Sequence, residues 1–140
     1  MLSPSDFGFH NALRCPDGRI VYLDFEYFGW DDPAKMVTDF LLHPAMRLNG
    51  DLKKKFVLCI ARAFEKDKNL VTRVKILYPL LGLKWCLIFL NEFIPSDLQR
   101  RHFARGASDD KTRVQRGQLE KARDMLKMIR DTYHHFSYGL

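Results

Sequence analysis

Cysteine is scarce and unpaired. Cys15, Cys59 and Cys86 are odd in number and widely scattered, with no pair at metal-ligand spacing. That excludes a disulfide framework and a cysteine zinc site, and reads as the reduced thiols of an intracellular, cytoplasmic protein. No basic segment followed by an apolar core opens the chain, so no secretory signal is expected. The longest dense apolar stretch, Ile76 to Leu90, is broken by Pro79, Gly82 and Lys84 and is too short for a bilayer span, so no membrane partner is expected. Glycine-rich runs are missing too; Gly106-Ala107-Ser108 holds too little glycine to cradle a phosphate. Without repeats, low-complexity tracts or a linker, residues 1–140 read as one domain.

What is present suffices for a core. Of 140 residues, 46% are hydrophobic and 13% aromatic, which argues against disorder. The net charge of +6 is uneven: residues 1–44 hold seven acids against three bases, or −4, leaving +10 for the remainder. An acidic mouth suits a divalent cation or a cationic small molecule, and a basic body attracts anions, although basicity also serves solubility.

The acids of the first segment are ordered. Asp6 and Asn11 have a D-x-x-x-x-N spacing, and the short strand Ala12 to Cys15, the turn Pro16-Asp17-Gly18 and the return strand Ile20 to Asp24 form a hairpin delivering Asp24 beside them. Phosphoryl transfer to an alcohol needs one carboxylate facing the hydroxyl, and a second carboxylate with a neutral amide oxygen on the metal. Asp6 suits the first role, Asn11 and Asp24 the second. Gly8 is expected to give the loop room to turn back. The competing explanation is that Asp and Asn are ordinary turn residues.

Ser5-Asp6 through Asn11, Tyr22-Leu23-Asp24-Phe25-Glu26, Gly29-Trp30-Asp31-Asp32-Pro33-Ala34 and Thr38-Asp39-Phe40 follow in order the motifs of the aminoglycoside phosphotransferase and choline kinase group. The first third of the chain resembles that protein-kinase-like family by motif, the rest only by helical character. The resemblance implies an α+β, mostly α, kinase C-terminal lobe: residues 1–32 as catalytic loop, hairpin and metal-binding loop, and 33–140 as a helical bundle. It implies ATP-dependent phosphorylation of a small-molecule hydroxyl, with Asp6 as base, Asn11 and Asp24 as Mg2+ ligands, and Asp39 bracing the catalytic loop. Pro4 stands where the usual pattern has histidine, which bears on how the loop is anchored. A glycine-rich loop, a strand lysine and its glutamate partner are not recognisable. The expectation is therefore a C-terminal lobe portion whose nucleotide-binding lobe is a missing or complementary chain, inactive when isolated. The alternative is a non-catalytic kinase-like binding or assembly module.

Beyond the hairpin the pattern is helical. Tyr27, Phe28 and Trp30 are expected to wedge a loop against the core rather than to line a substrate pocket. Asp32-Pro33 reads as a helix start, with Met36, Val37, Phe40 and Leu41 buried and an end near His43-Pro44. Leu52, Phe56, Cys59, Ile60, Ala63 and Phe64 mark a second helix, with Lys53-Lys54-Lys55 as its solvated first turn. Leu70 to Phe93 is expected to be the buried central helix, kinked or interrupted at Pro79. After a polar, mobile connection over residues 98–110, Asp109 or Asp110 caps a last helix packed through Leu119, Ala122, Leu126, Ile129 and Tyr133. Its Arg116, Arg123, Lys127 and Arg130, with Arg100, Arg101 and Arg105 before them, suggest nucleic acid. Glu120, Asp124 and Asp131 are interleaved and expected to pair with those bases, which argues for a solvated face instead. His134-His135 reads as a frayed helix end rather than a metal site.

Overall fold

The structure is a computed structural model and describes residues 1–96, 110–136 and 138. The expected arginines 100, 101 and 105, the Gly106-Ala107-Ser108 stretch and Asp109 lie outside the described residues. The fold is α+β and mostly helical, as the sequence implies, and it holds two small sheets. Strands β1 (Leu2–Ser3), β2 (Ala12–Arg14), β3 (Ile20–Tyr22) and β4 (Gly29–Trp30) precede helices α1 (Pro33–Leu42), α2 (Gly50–Ala63), α3 (Leu70–Leu90) and α4 (Lys111–Thr132). Two compact units result, Met1–Leu81 with His135–Leu140, and Gly82–His134.

In the first unit, β2 and β3 form the expected antiparallel hairpin, with Ala12 opposite Tyr22 and Arg14 opposite Ile20. The second sheet was not legible from alternation: β1 pairs with β4, Leu2 opposite Trp30 and Ser3 opposite Gly29. Met1 continues it, its amino group donating to Asp31 O at 2.9 Å. The stretch after Asp24 is thus tied to the start of the chain. Two-residue strands lack a readable period, so only the tertiary pairing reveals them.

α1 is the core of this unit. The Asp32 side chain caps it by accepting the Ala34 N–H at 2.8 Å, and Pro33, whose missing N–H costs nothing there, opens it. His43 closes it before Pro44. Met36, Val37, Phe40 and Leu41 are buried as expected, together with Ala34, Thr38 and Leu42. Each large apolar side chain sequestered in this way contributes roughly 1.5–3 kcal/mol. Phe40 stacks on Phe7 at 5.4 Å and on Phe56 of α2 at 3.9 Å, so the segment holding Asp6 is anchored through one aromatic column.

Several expected packing faces are corrected. On α2 the buried residue is Val57, while Leu52 and Cys59 are exposed; the helix turns its stripe by one position because Phe56 and Val57 meet α1 and the start of α3. Lys53 is not merely solvated, since its ammonium lies 5.3 Å above the Tyr138 ring. A cavity of only about 10 Å³, lined by Val37, Val57, Ile60, Leu70, Val74 and neighbours, leaves this apolar core essentially filled. Tyr78 packs edge-on against Phe136 at 5.4 Å, and burial, then its bond with Tyr138, pushes its phenol well above the ordinary range.

α3 continues unbroken through Pro79. It is not buried on every side: Ile76, Leu80, Leu83 and Leu87 are exposed, while Val74, Tyr78 and Phe89 are buried. With the following turn it spans Leu70–Phe93, long and apolar enough by length and composition alone to cross a membrane, so length does not exclude a span as the shorter stretch suggested.

In the second unit Gly82 of α3 meets Ile129 of α4; an added Cβ would overlap the isoleucine side chain. Asp110 caps α4 through the Thr112 N–H at 3.0 Å. Ala122 and Ile129 are its buried residues, whereas Leu126 and Tyr133 are exposed, contrary to the expected face. Gln115 donates to the Glu92 carbonyl at 3.0 Å, and Cys86 Sγ donates to Ala122 O at 3.5 Å, its thiol pushed up by burial. Among the described residues Glu120, Asp124 and Asp131 form no ion pairs with the neighbouring bases, so the expected i,i+4 pairing is not realised.

Candidate functional site

Asp6 and Asn11 come together. Asn11 Nδ2 donates to the Asp6 carbonyl at 3.0 Å and to Asp6 Oδ2 at 3.3 Å. With the amide nitrogen so used, Asn11 Oδ1 faces away from the carboxylate and is left as an acceptor. The turn is closed by Asn11 N donating to Gly8 O at 3.1 Å, within the single 3-10 turn Phe9–Asn11. Gly8 is needed for a different reason from the one expected: its backbone is extended, but a Cβ would lie 2.6 Å from both the His10 ring and the Met46 methyl. Space, not conformational freedom, fixes glycine here.

Asp24 is delivered by the hairpin. Leu23 N donates to Asn11 O at 2.8 Å, so the ladder extends one step past Ala12 and Tyr22 and leaves Asp24 next to the residue facing Asn11. Asp24 has φ 59°, and its side chain is exposed with no hydrogen bond or ion pair among the described residues. An aspartate in the left-handed region is uncommon, although Asp tolerates it better than most residues. By chemistry alone, Asn11 Oδ1 and the Asp24 carboxylate are hard oxygen donors of the kind Mg2+ takes.

Asp39 reaches the loop indirectly. Lys35, one turn earlier on α1, lies 3.4 Å from Asp39 and 2.8 Å from Asp31, and donates to Ser5 Oγ at 3.3 Å. Burial alone would lower the Lys35 ammonium, but the bond to Asp31 and the charges of Asp39 and Asp31 prevail and raise it. Ser5, at φ 63°, is held further by its N–H donating to Ser3 Oγ at 3.0 Å. The residue before Asp6 is therefore anchored by Ser3 and Lys35.

No family model, curated protein or solved structure matches this chain.

Three participants were not found in the sequence. Lys35 was hidden because its partners lie on two elements. His10 Nε2 donates to Asp6 Oδ1 at 3.1 Å, so both carboxylate oxygens are engaged, and His43 stacks on His10 with centroids 3.9 Å apart and planes 4° apart. A histidine four residues after Asp6 was a signal available in the sequence; His43 was not, because only folding brings the end of α1 to the loop. Tyr27, Phe28 and Trp30, expected to wedge inward, are instead exposed, Trp30 at 84%. Phe28 meets Phe25 edge-on with centroids 6.2 Å apart, a local contact within the loop.

Proposed function

We propose that this chain is the C-terminal lobe portion of a kinase-like small-molecule phosphotransferase, carrying the base and metal ligands for ATP-dependent phosphorylation of an alcohol. The observation that supports this most is the hydrogen-bonded pair Asp6 and Asn11 set at the mouth of a hairpin whose return strand ends in Asp24. Asp6 accepts the proton of the acceptor hydroxyl on one carboxylate oxygen. Asn11 and Asp24 hold Mg2+, which neutralises phosphate charge when ATP is bound. Asp39, through Lys35 and Ser5, keeps Asp6 in place.

The exposed apolar side chains Leu13, Ile20, Val21, Phe25, Phe28 and Trp30 support the need for a complementary lobe. An isolated two-stranded hairpin is only marginally stable in water, and exposed apolar surface of this extent marks an interaction face. The same face would serve a non-catalytic assembly module, the second reading. Among the acceptors, the acids near the site favour a cationic alcohol.

The deciding experiment supplies ATP, Mg2+ and a panel of amino-sugars, choline-like alcohols and sugars to the chain with and without a candidate N-terminal lobe. Turnover is expected only with the lobe and should fall about a hundredfold or more in Asp6→Ala. Turnover at a near-parental rate in that variant refutes the base assignment, and binding of the lobe without turnover on any acceptor favours the assembly module.

A further inference from the structure

The fold assembles a donor set whose chemistry differs from that of the oxygens of Asn11 and Asp24. One ligand atom from each of Asp6, His10 and His43 lies within 4.8 Å of the other two. His10 Nε2 and Asp6 Oδ1 are 3.1 Å apart, close to the separation of two neighbouring ligands on an ion with bonds of about 2.0–2.2 Å. The set comes from two elements, the loop and the end of α1, and is walled by Gly8 and the buried Met46. Asn11 Nδ2 on Asp6 Oδ2 orients the carboxylate from behind, as outer-sphere partners of metal ligands do.

We propose that Asp6, His10 and His43 form a site for a borderline divalent cation of the zinc class. Two imidazoles select such ions, whereas Mg2+ prefers oxygen ligands and its own water. Three protein ligands leave a fourth position for water. Without an ion, a proton on His10 Nε2 bridges to Asp6, and the ion replaces it. Two parallel rings 3.9 Å apart lie in separate planes and cannot both direct an in-plane lone pair at one ion, so His43 rotates on loading. That releases the 3.2 Å bond its Nδ1 accepts from the Ala45 N–H, which is exposed and can turn to water.

Only the functional consequence rests on the phosphotransferase reading: a zinc-class ion would occupy the carboxylate assigned as base and compete with the acceptor hydroxyl.

Cobalt(II) titration of the metal-free full chain, followed by visible absorption and checked with Zn2+ by calorimetry, tests the site. One ion per chain is expected, with affinity at least about tenfold weaker in His10→Ala and in His43→Ala. Asp24→Asn and excess Mg2+ should leave binding unchanged. His43→Gln, with thermal melts of every variant, keeps the test valid if the alanine variant unfolds. Absence of binding, or binding that survives loss of both histidines because His134, His135 or a cysteine captures the ion, overturns the proposal. Because the readout is the metal itself, it stands or falls apart from phosphoryl transfer.

Discussion

The hairpin of β2 and β3 and the helix α1 both carry apolar side chains, yet the first is exposed at every ladder position but Ala12 and the second is the best-buried element of its unit. The difference is one of layers. α1 has Phe7 on one side and Phe56 on the other, whereas the hairpin touches the core chiefly through Tyr22 against Phe7 at 5.3 Å. Apolar residues with no second layer lie on a surface that awaits a partner or a ligand. Stability therefore resides in α1, and the proposed chemistry resides on the exposed element.

That contrast is broken most directly by truncating both sides. Leu41→Ala, at a fully buried position, should cost about 2–5 kcal/mol in urea unfolding, while Val21→Ala should stay within about 0.5 kcal/mol. Equal losses would mean that the hairpin is as integral to the core as the helix. Next in size, Gly82→Ala should cost about 1–3 kcal/mol through overlap with Ile129, and Ile129→Val in the same chain should restore part of it. The corresponding Gly8→Ala should be gentler, because the His10 ring and the Met46 methyl are ends of side chains that can move. Its signature is a displaced His10 NMR resonance rather than a large shift in melting.

A smaller effect concerns how α1 is started. Arg73 donates to Asp32 at 2.9 Å and 3.0 Å and to Asp67 at 2.7 Å and 3.0 Å. Those bonds hold both carboxyls below the ordinary range and the guanidinium above its own. Depressed carboxyl values mean stability that is fully present above about pH 4 and is lost as pH falls through the lowered values. The groups are partly exposed, so the loss should be modest and weakened by salt. Arg73→Met should flatten the dependence of the urea midpoint on pH between about 2 and 4, and an unchanged slope would assign acid lability elsewhere. Asp32→Ala adds the loss of a helix cap, about 1 kcal/mol by the same assay.

Legibility tracked locality. The β2 and β3 hairpin, the Asp32 and Asp110 caps, Pro33 and the end at His43 are governed by neighbours within a few residues, and each was readable as a short pattern. The displaced face on α2, the exposed Leu126 and Tyr133 on α4 and the exposed ridge of α3 share a cause. Periodicity shows that a stripe exists, but which flank of it is covered depends on what arrives from elsewhere in the chain. For the candidate site, the spacing of Asp6, Asn11 and Asp24 was readable because the loop entering the hairpin and the hairpin itself carry all three in one short stretch. Lys35 and His43 were not, because α1 meets the loop only after folding.

By itself the sequence determined the local events: where the hairpin turns, where α1, α3 and α4 begin, and the order in which Asp6, Asn11 and Asp24 appear. Hydrogen bonds between close neighbours and fixed backbone preferences decide these without distant help. Only the tertiary structure decided that Met1 to Ser3 would seal the stretch after Asp24, that Ser5 would be anchored by Lys35, and that His43 would settle on His10. Such contacts join residues some thirty positions apart, and burial of the aromatic column through Phe40, rather than any local pattern, brings them within reach.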